Sequence, residues 1–254
     1  MDKASLESWL NSNDCINVQM PNEIFEDLDK AVFKSFNHKC FAYAYYYLIS
    51  HLYRNTLYGG NTESYSQQNI IKLFAGNKTL VSYITKNGGL LDQIGYTKTT
   101  TDYPVGCYMD NGILEFGLIK ELRKRMPNLE LNHSPRFSIK EPIKGMKRFN
   151  NEDYTGTFYS FQNTHSIDIK RFIDIISDEK LGHVGFFIYG YISMMCDKYS
   201  NAYQITYVEL GKIVGCSDRT IKTYILRLEE MGFLESTRRI FDNKLLQKIY
   251  SVKR

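Results

Sequence analysis

Side chains that donate hydrogen bonds cluster in one short stretch of the chain, between residues 217 and 227. The members with hydroxyl or cationic groups are Ser217, Arg219, Thr220, Lys222, Thr223 and Arg227. Hydroxyl, guanidinium and ammonium groups all donate hydrogen bonds, and the last two also carry positive charge. The stretch therefore suits an anionic partner that presents hydrogen-bond acceptors.

Apolar residues run through the same stretch at helical spacing. They are Ile221, Tyr224, Ile225, Leu228 and Met231. Because they follow one another by one, three or four residues, they predict a single buried stripe along an α-helix. Ser217 is a favourable N-cap for this helix, and Asp218 suits its positive end. The polar and cationic residues then lie on the exposed side.

A shorter helix is predicted just before it. After Thr206, the residues Leu210, Ile213 and Val214 fall on one helical face. Gly215 then supplies the backbone freedom for a turn. The sequence thus predicts two helices joined by a tight turn, with Gly232 ending the second helix.

Two strands are predicted after the second helix. They run from Glu235 to Phe241 and from Leu245 to Val252, on either side of an Asp242-Asn243 turn. Basic side chains lie near the tip or edges of this hairpin: Arg238, Arg239, Lys244 and Lys248.

From about Leu181 to Arg254 the chain resembles the winged helix-turn-helix family, in the run from Gly215 to Leu234 and in the basic hairpin after it. The resemblance implies that the second helix enters the major groove of DNA and that the hairpin is a wing gripping phosphate or the minor groove. The implied DNA contacts are Ser217, Arg219, Thr220, Lys222, Thr223, Arg227, Arg238, Arg239 and Lys244. The same fold serves some proteins that bind only other proteins, so a winged helix that never touches DNA stays open.

Part of the helix pattern occurs a second time, between Lys78 and Lys86. Helices predicted from Ser66 to Phe74 and from Cys40 to Tyr58 precede it, and Tyr96 to Met109 is interpreted as a longer wing. Residues 21–115 are therefore interpreted as a second, more divergent winged-helix-like domain. Its candidate groove residues are Lys78, Thr79, Val81, Ser82, Thr85 and Lys86. An unrelated helical domain with one similar helix is the alternative, and the sequence leaves open whether this region binds DNA or mediates dimerisation.

Charge is unevenly distributed along the chain. Residues 1–36 hold seven acidic side chains against three lysines, whereas residues 120–150 hold nine lysines and arginines against three glutamates. Residues 1–20 are interpreted as an acidic N-terminal segment and residues 116–165 as a basic linker. Such a linker suits phosphate contacts that are independent of base sequence, and a merely solvated linker is the alternative.

Residue types that support catalysis or metal binding do not occur at diagnostic spacings. The five histidines form no H-x-H or H-E-x-x-H pattern, and the five cysteines form no C-x-x-C pattern. The run from Gly76 to Thr79 lacks the second glycine that a phosphate-binding loop has before its lysine. We therefore expect no cofactor, no metal and no enzymatic activity.

The longest apolar run, Val184 to Cys196, has 13 residues. Because a membrane-spanning helix needs about 20, this run is interpreted as a buried helix. The sequence begins without an apolar signal core, so we expect a cytoplasmic protein with no membrane partner.

Together these features predict an α+β, mainly helical chain with two winged helix-turn-helix domains in tandem joined by a basic linker, the second covering residues 166–254. That arrangement resembles plasmid and phage replication initiators, which bind repeated sites at an origin. The resemblance implies sequence-specific binding of double-stranded DNA in that role. A transcriptional regulator at an operator and a winged-helix adaptor in a partition or conjugation complex are the alternatives. A homodimer and replication proteins are left open as further partners.

Overall fold

The computed structural model describes residues 3–10, 17–59, 65–75, 78–110, 113–126, 137–145, 147–149, 153–157, 163–241 and 244–253. The chain divides into two compact units: Met1–Ala44 with Thr164–Arg254, and Tyr45–Asn163. Both are built from helices and small antiparallel sheets, so the predicted α+β, mainly helical class is confirmed at that level. We call them the discontinuous unit and the central unit.

The helices of the described part are α1 (Lys3–Trp9), α2 (Ile24–Lys30), α3 (Phe36–Arg54), α4 (Gln67–Ala75), α5 (Lys78–Thr85), α6 (Leu90–Gln93), α7 (Ile119–Arg125), α8 (Ile169–Ser177), α9 (Gly182–Lys198), α10 (Tyr207–Val214) and α11 (Asp218–Glu230). The strands are β1 (Asn17–Pro21), β2 (Lys98–Thr100), β3 (Pro104–Asp110), β4 (Ile113–Leu118), β5 (Ile139–Glu141), β6 (Lys147–Phe149), β7 (Asp153–Thr157), β8 (Thr164–Asp168), β9 (Tyr203–Ile205), β10 (Leu234–Phe241) and β11 (Lys244–Val252). Helix α3 contributes residues to both units.

The discontinuous unit is built around α9. The apolar run predicted to be a buried helix is buried along nearly its whole length, so that prediction is confirmed. Helix α8 packs against it through Phe172, Ile173 and other apolar residues, and the Asp168 side chain caps α8 by accepting hydrogen bonds from the Lys170 and Arg171 N–H groups. These contacts make α9 the central helix of the core.

The first described strand of the chain pairs with a strand from its second half. Strand β1 lies antiparallel to β8, with Val18 opposite Ile167 and Met20 opposite His165. All four of these side chains are buried, which follows from the two-residue period of a strand. This pairing joins the two sequence segments of the discontinuous unit.

The last part of the chain follows the order α9, β9, α10, α11, β10, β11. The predicted helices and hairpin are all present. Strand β11 lies in the middle of the sheet, with β10 on one side and the three-residue β9 on the other. Strand β9 was not predicted, because three residues are too few to show a period.

The central unit contains the helices predicted at residues 66–74 and after residue 78 as α4 and α5. The wing interpreted from Tyr96 to Met109 is wrong in its pairing. Strand β3 forms a hairpin with β4, which lies beyond that range, and β2 pairs with β5 instead. The Thr-rich segment therefore belongs to a different small sheet from the one that follows it.

The boundaries of the discontinuous and central units differ from the domain boundaries inferred from the sequence. Helix α1, in the segment expected to be merely acidic, packs against α8, and Lys3 lies 2.6 Å from Asp174. Most of residues 116–165 belong to the central unit, where α7, β5, β6 and β7 form regular structure rather than an open linker. Lys140 illustrates the reason: its side chain is 1% exposed and pairs with Asp92 at 2.6 Å.

Candidate nucleic-acid interface

Helix α10 begins with a reciprocal cap. The Thr206 hydroxyl accepts a hydrogen bond from the Glu209 N–H at 3.1 Å, and the Glu209 carboxylate accepts one from the Thr206 N–H at 2.9 Å. Hydrogen bonds from the Thr206 backbone and hydroxyl lower the pKa of the Glu209 carboxyl group. The cap satisfies backbone donors that the first turn of a helix leaves open and so fixes where α10 starts.

The turn between α10 and α11 depends on two glycines. Gly215 has a φ of 92°, in the left-handed region that favours glycine. At Gly211 a side-chain Cβ would lie only 2.7 Å from the Cys216 carbonyl oxygen, closer than real Cβ atoms approach backbone. The two helices are therefore held at a short, fixed separation.

Ser217 is the N-cap of α11, as its position in the sequence predicted. Its hydroxyl accepts a hydrogen bond from the Thr220 N–H at 3.2 Å and lies 2.8 Å from the Thr220 hydroxyl. Both hydroxyl groups thus serve the start of the helix. Of the six expected contacts on α11, these two are already engaged in local structure.

The two sides of α11 differ, and three of the five residues of the predicted buried stripe are buried, whereas Tyr224 and Met231 are only half-buried. Ile221, Ile225 and Leu228 are completely buried against the rest of the unit. The opposite side carries exposed residues at spacings of three and four, which are Arg219, Lys222, Thr223 and Leu226. We call these four residues the exposed stripe of α11. The helix N-terminus and this stripe present cationic, polar and apolar groups together.

Arg227 does not belong to that stripe. Its guanidinium donates to the Asp178 carboxylate at 3.0 Å and 2.7 Å and to Glu230 at 3.1 Å. Asp178 also accepts hydrogen bonds from the Lys180 and Leu181 N–H groups ahead of α9. Although burial opposes the change, these hydrogen bonds lower the pKa of Asp178. Arg227 therefore anchors α11 to the turn before α9, and its expected role as a DNA contact is corrected to this structural one.

The pairing of β10 with β11 shows which residue lies opposite each basic residue of the hairpin. Arg238 lies opposite Lys248 and Arg239 opposite Gln247, and Lys244 pairs with Phe241 beside the turn. The side chains of residues 238–247 lie outside the described part. Lys248 is directed back to α10 and α11: its ammonium is 3.5 Å from Glu229 and 5.0 Å from the ring centre of Tyr207.

The candidate residues on α5 are less basic and less fully described. The side chains of Lys78 and Thr79 lie outside the described part, whereas Ser82 and Lys86 are exposed. Val81 and Thr85 are buried, so their assignment to the groove is wrong. Leu80, which lies between Thr79 and Ser82 in the sequence, is 57% exposed. Of the α5 side chains that the structure describes, the exposed ones are Leu80 and Ser82, which carry no charge, unlike Arg219 and Lys222 in the exposed stripe of α11.

Sequence reasoning missed Lys39, a residue of α3 that supports this site. Its ammonium donates to the Ile213 carbonyl oxygen at 2.7 Å and to Asp29 at 3.0 Å, and the side chain is only 9% exposed. It thereby holds the last turn of α10, just before Gly215. No local pattern could have indicated a contact between residues so distant in sequence.

His165 is a buried histidine that serves the core. It lies 2.8 Å from the Tyr43 hydroxyl and 2.9 Å from the Asn22 side-chain oxygen. Burial lowers its pKa to about 3, so the ring stays neutral near neutral pH. Within the described ranges, no group of three or more His, Cys, Asp or Glu side chains is arranged to hold a metal ion.

Comparison with protein-family models, with curated proteins and with solved structures finds no match to this chain. Of the helices that the structure describes, none combines the length and the apolar character needed to span a membrane.

Proposed function

We propose that the chain binds double-stranded DNA sequence-specifically through α11, with residues from α9 to β11 acting as a winged helix-turn-helix and β10–β11 as its wing. One observation carries the proposal. Helix α11 buries Ile221, Ile225 and Leu228 while Arg219 and Lys222 stay exposed on its other side. A helix that is fixed by its apolar face and exposes cations from its first turns has the form needed to enter a major groove.

The exposed stripe offers complementary chemistry to a duplex. Arg219 can donate two hydrogen bonds to O6 and N7 of guanine, the most common specific contact between a protein and a base. Lys222 supplies a positive charge for a base edge or a phosphate. Glu230, the last residue of the helix, is exposed and negatively charged, so the part of α11 proposed to face DNA runs from its N-terminus to Leu226.

We further propose that the chain acts as a replication initiator at repeated origin sites. Support comes from the second helix pair, α4 and α5, which is followed, after α6 and β2, by the β3–β4 hairpin. Two such modules in one chain suit adjacent half-sites or iterated repeats.

Selection from a random pool of duplex DNA with the full chain tests DNA binding. We expect one sequence to be enriched, with binding that weakens as salt concentration rises because phosphate contacts release counterions. Footprinting on DNA that flanks the encoding gene then tests the role: protected direct repeats support an initiator. A single protected palindrome over a promoter contradicts that role and leaves DNA binding intact. Failure to enrich any sequence contradicts the proposal as a whole.

A further inference from the structure

Leu226 is an apolar residue within the exposed stripe of α11. Its side chain is 43% exposed, although the neighbouring members of the stripe are cationic or polar. Leu226 follows Arg219 by seven residues, or about two helical turns, so the two side chains project from the same side of α11. A surface that meets DNA through Arg219 therefore brings Leu226 to the same groove.

Thr223 adds a second apolar group beside it. The Thr223 hydroxyl donates a hydrogen bond to the Arg219 carbonyl oxygen at 3.2 Å, one turn earlier. Since the hydroxyl proton is given to the backbone, the side chain offers a partner its methyl group and an oxygen that can only accept. Thr223 and Leu226 are three residues apart and are neighbours on the helix surface. Together they make a small apolar strip one helical turn beyond Arg219 and Lys222.

Only one group on a base edge of the major groove is apolar. It is the C5-methyl group of thymine, which an alanine, a threonine methyl or a larger apolar side chain contacts. We infer that α11 recognises thymine methyl groups through Thr223 and Leu226, while Arg219 and Lys222 provide hydrogen bonds and charge. This inference rests on the proposed function, because it assigns the partner chemistry of the same helix.

The test uses the full chain and a duplex enriched from a random pool. Each thymine is replaced singly by deoxyuridine, which removes the methyl group and keeps the base pair. At one or two positions we expect binding to weaken about three- to fivefold, because the complex loses the burial of one methyl group. Fluorescence anisotropy of the labelled duplex gives the dissociation constants.

Matched variants assign the methyl contacts to residues. Thr223→Ser keeps the hydroxyl and removes the methyl, so the penalty for deoxyuridine should fall to nearly onefold at one position. Thr223→Val keeps a methyl group and should retain that penalty. Leu226→Gln should abolish the penalty at a second thymine while keeping a residue that favours helix. Circular dichroism spectra that overlay with the parent chain exclude misfolding.

The outcomes separate the inference from the function on which it rests. Thymine-methyl recognition is overturned if a duplex is enriched but deoxyuridine does not change its affinity. It is also overturned if deoxyuridine weakens binding equally in Thr223→Ser and in the parent chain. In both cases DNA binding itself still stands. Sedimentation velocity of the parent and of Leu226→Gln provides a further outcome. If the parent self-associates, the variant does not, and every deoxyuridine penalty is unchanged, the inference is overturned and Leu226 is a contact between copies. Failure to enrich any duplex overturns both.

Discussion

Helices α5 and α11 follow the same local plan and present different surfaces. Each comes after a shorter or similar helix, and each is followed within a few residues by a glycine of positive φ, Gly88 at 65° and Gly232 at 73°. Ile84 in α5 and Ile225 in α11 are both completely buried. The residues that hold each helix in its unit are therefore alike.

The exposed sides of the two helices differ. Helix α11 exposes Arg219 and Lys222 in its first turns, whereas the described exposed residues of α5 include Leu80, at 57% exposure, and Ser82. The buried half of a helix determines where it lies, and the exposed half determines what it binds. Under the proposed function, α11 is therefore the main DNA-reading helix and α5 has a smaller part.

The largest expected effect tests whether the buried halves are equivalent. Ile225→Ala and Ile84→Ala should each lower the free energy of unfolding by about 2–5 kcal/mol, because each leaves a cavity at a fully buried site. Urea denaturation followed by circular dichroism measures both, with the exposed Lys180→Ala as a control that should change stability by less than about 0.5 kcal/mol. A small loss in Ile84→Ala alone would show that α5 is packed less firmly than α11.

The next effect tests the exposed halves. Arg219→Ala should weaken binding to the enriched duplex by about 1–3 kcal/mol, because it removes a paired contact with a base. Lys86→Ala removes the same charge from the end of α5 and should cost less than about 0.5 kcal/mol, as a lone exposed charge does. Fluorescence anisotropy at fixed salt compares them. Equal losses would mean that both helices read DNA.

A smaller effect concerns the anchor of α11. Arg227→Ala should lower stability slightly at neutral pH, because a partly exposed ion pair contributes only modestly. The pKa of Asp178 is lowered in the folded chain, so its contribution is present above its unfolded pKa and is lost as pH falls through the folded value. The stability difference between the variant and the parent should therefore close in acid. If the stability difference between Arg227→Ala and the parent stays constant at pH values below the ordinary pKa of aspartate, the ion pair with Asp178 is not the source of that difference.

The smallest effect on sequence discrimination is expected in the wing. Arg238→Ala should weaken binding to all duplexes similarly and reduce the slope of log affinity against log salt by about one. The same anisotropy titration at several salt concentrations measures it. Loss of affinity for the enriched duplex alone would instead make Arg238 a base contact, and the distinction between helix and hairpin would fail.

Features set by neighbouring residues could be predicted from the sequence. Ser217 as a cap, the turn at Gly215 and the buried stripe through Ile221 and Ile225 are all recorded in spacings of one to four residues, and the structure contains each of them. The hairpin of β10 and β11 was also indicated, since the Asp242-Asn243 pair separates two segments predicted to be strands.

Features set by distant residues could not be predicted in this way. The pairing of β1 with β8, the bond from Lys39 to Ile213 and the burial of Lys140 all depend on where the folded chain brings remote segments together. Arg227 shows the same limit within α11. Its cationic side chain matched the others in sequence, and only the position of Asp178 distinguishes an anchor from a candidate contact.

Chemical protection of guanine tests the central claim most directly, namely that the exposed stripe of α11 lies in the major groove. Dimethyl sulfate methylates N7 of guanine, an atom that faces the major groove. With the enriched duplex, the parent chain should protect at least one guanine, and Arg219→Ala should restore reactivity at that base while protection elsewhere persists. Identical protection patterns for both proteins, or full reactivity of every guanine under saturating parent chain, would contradict the account.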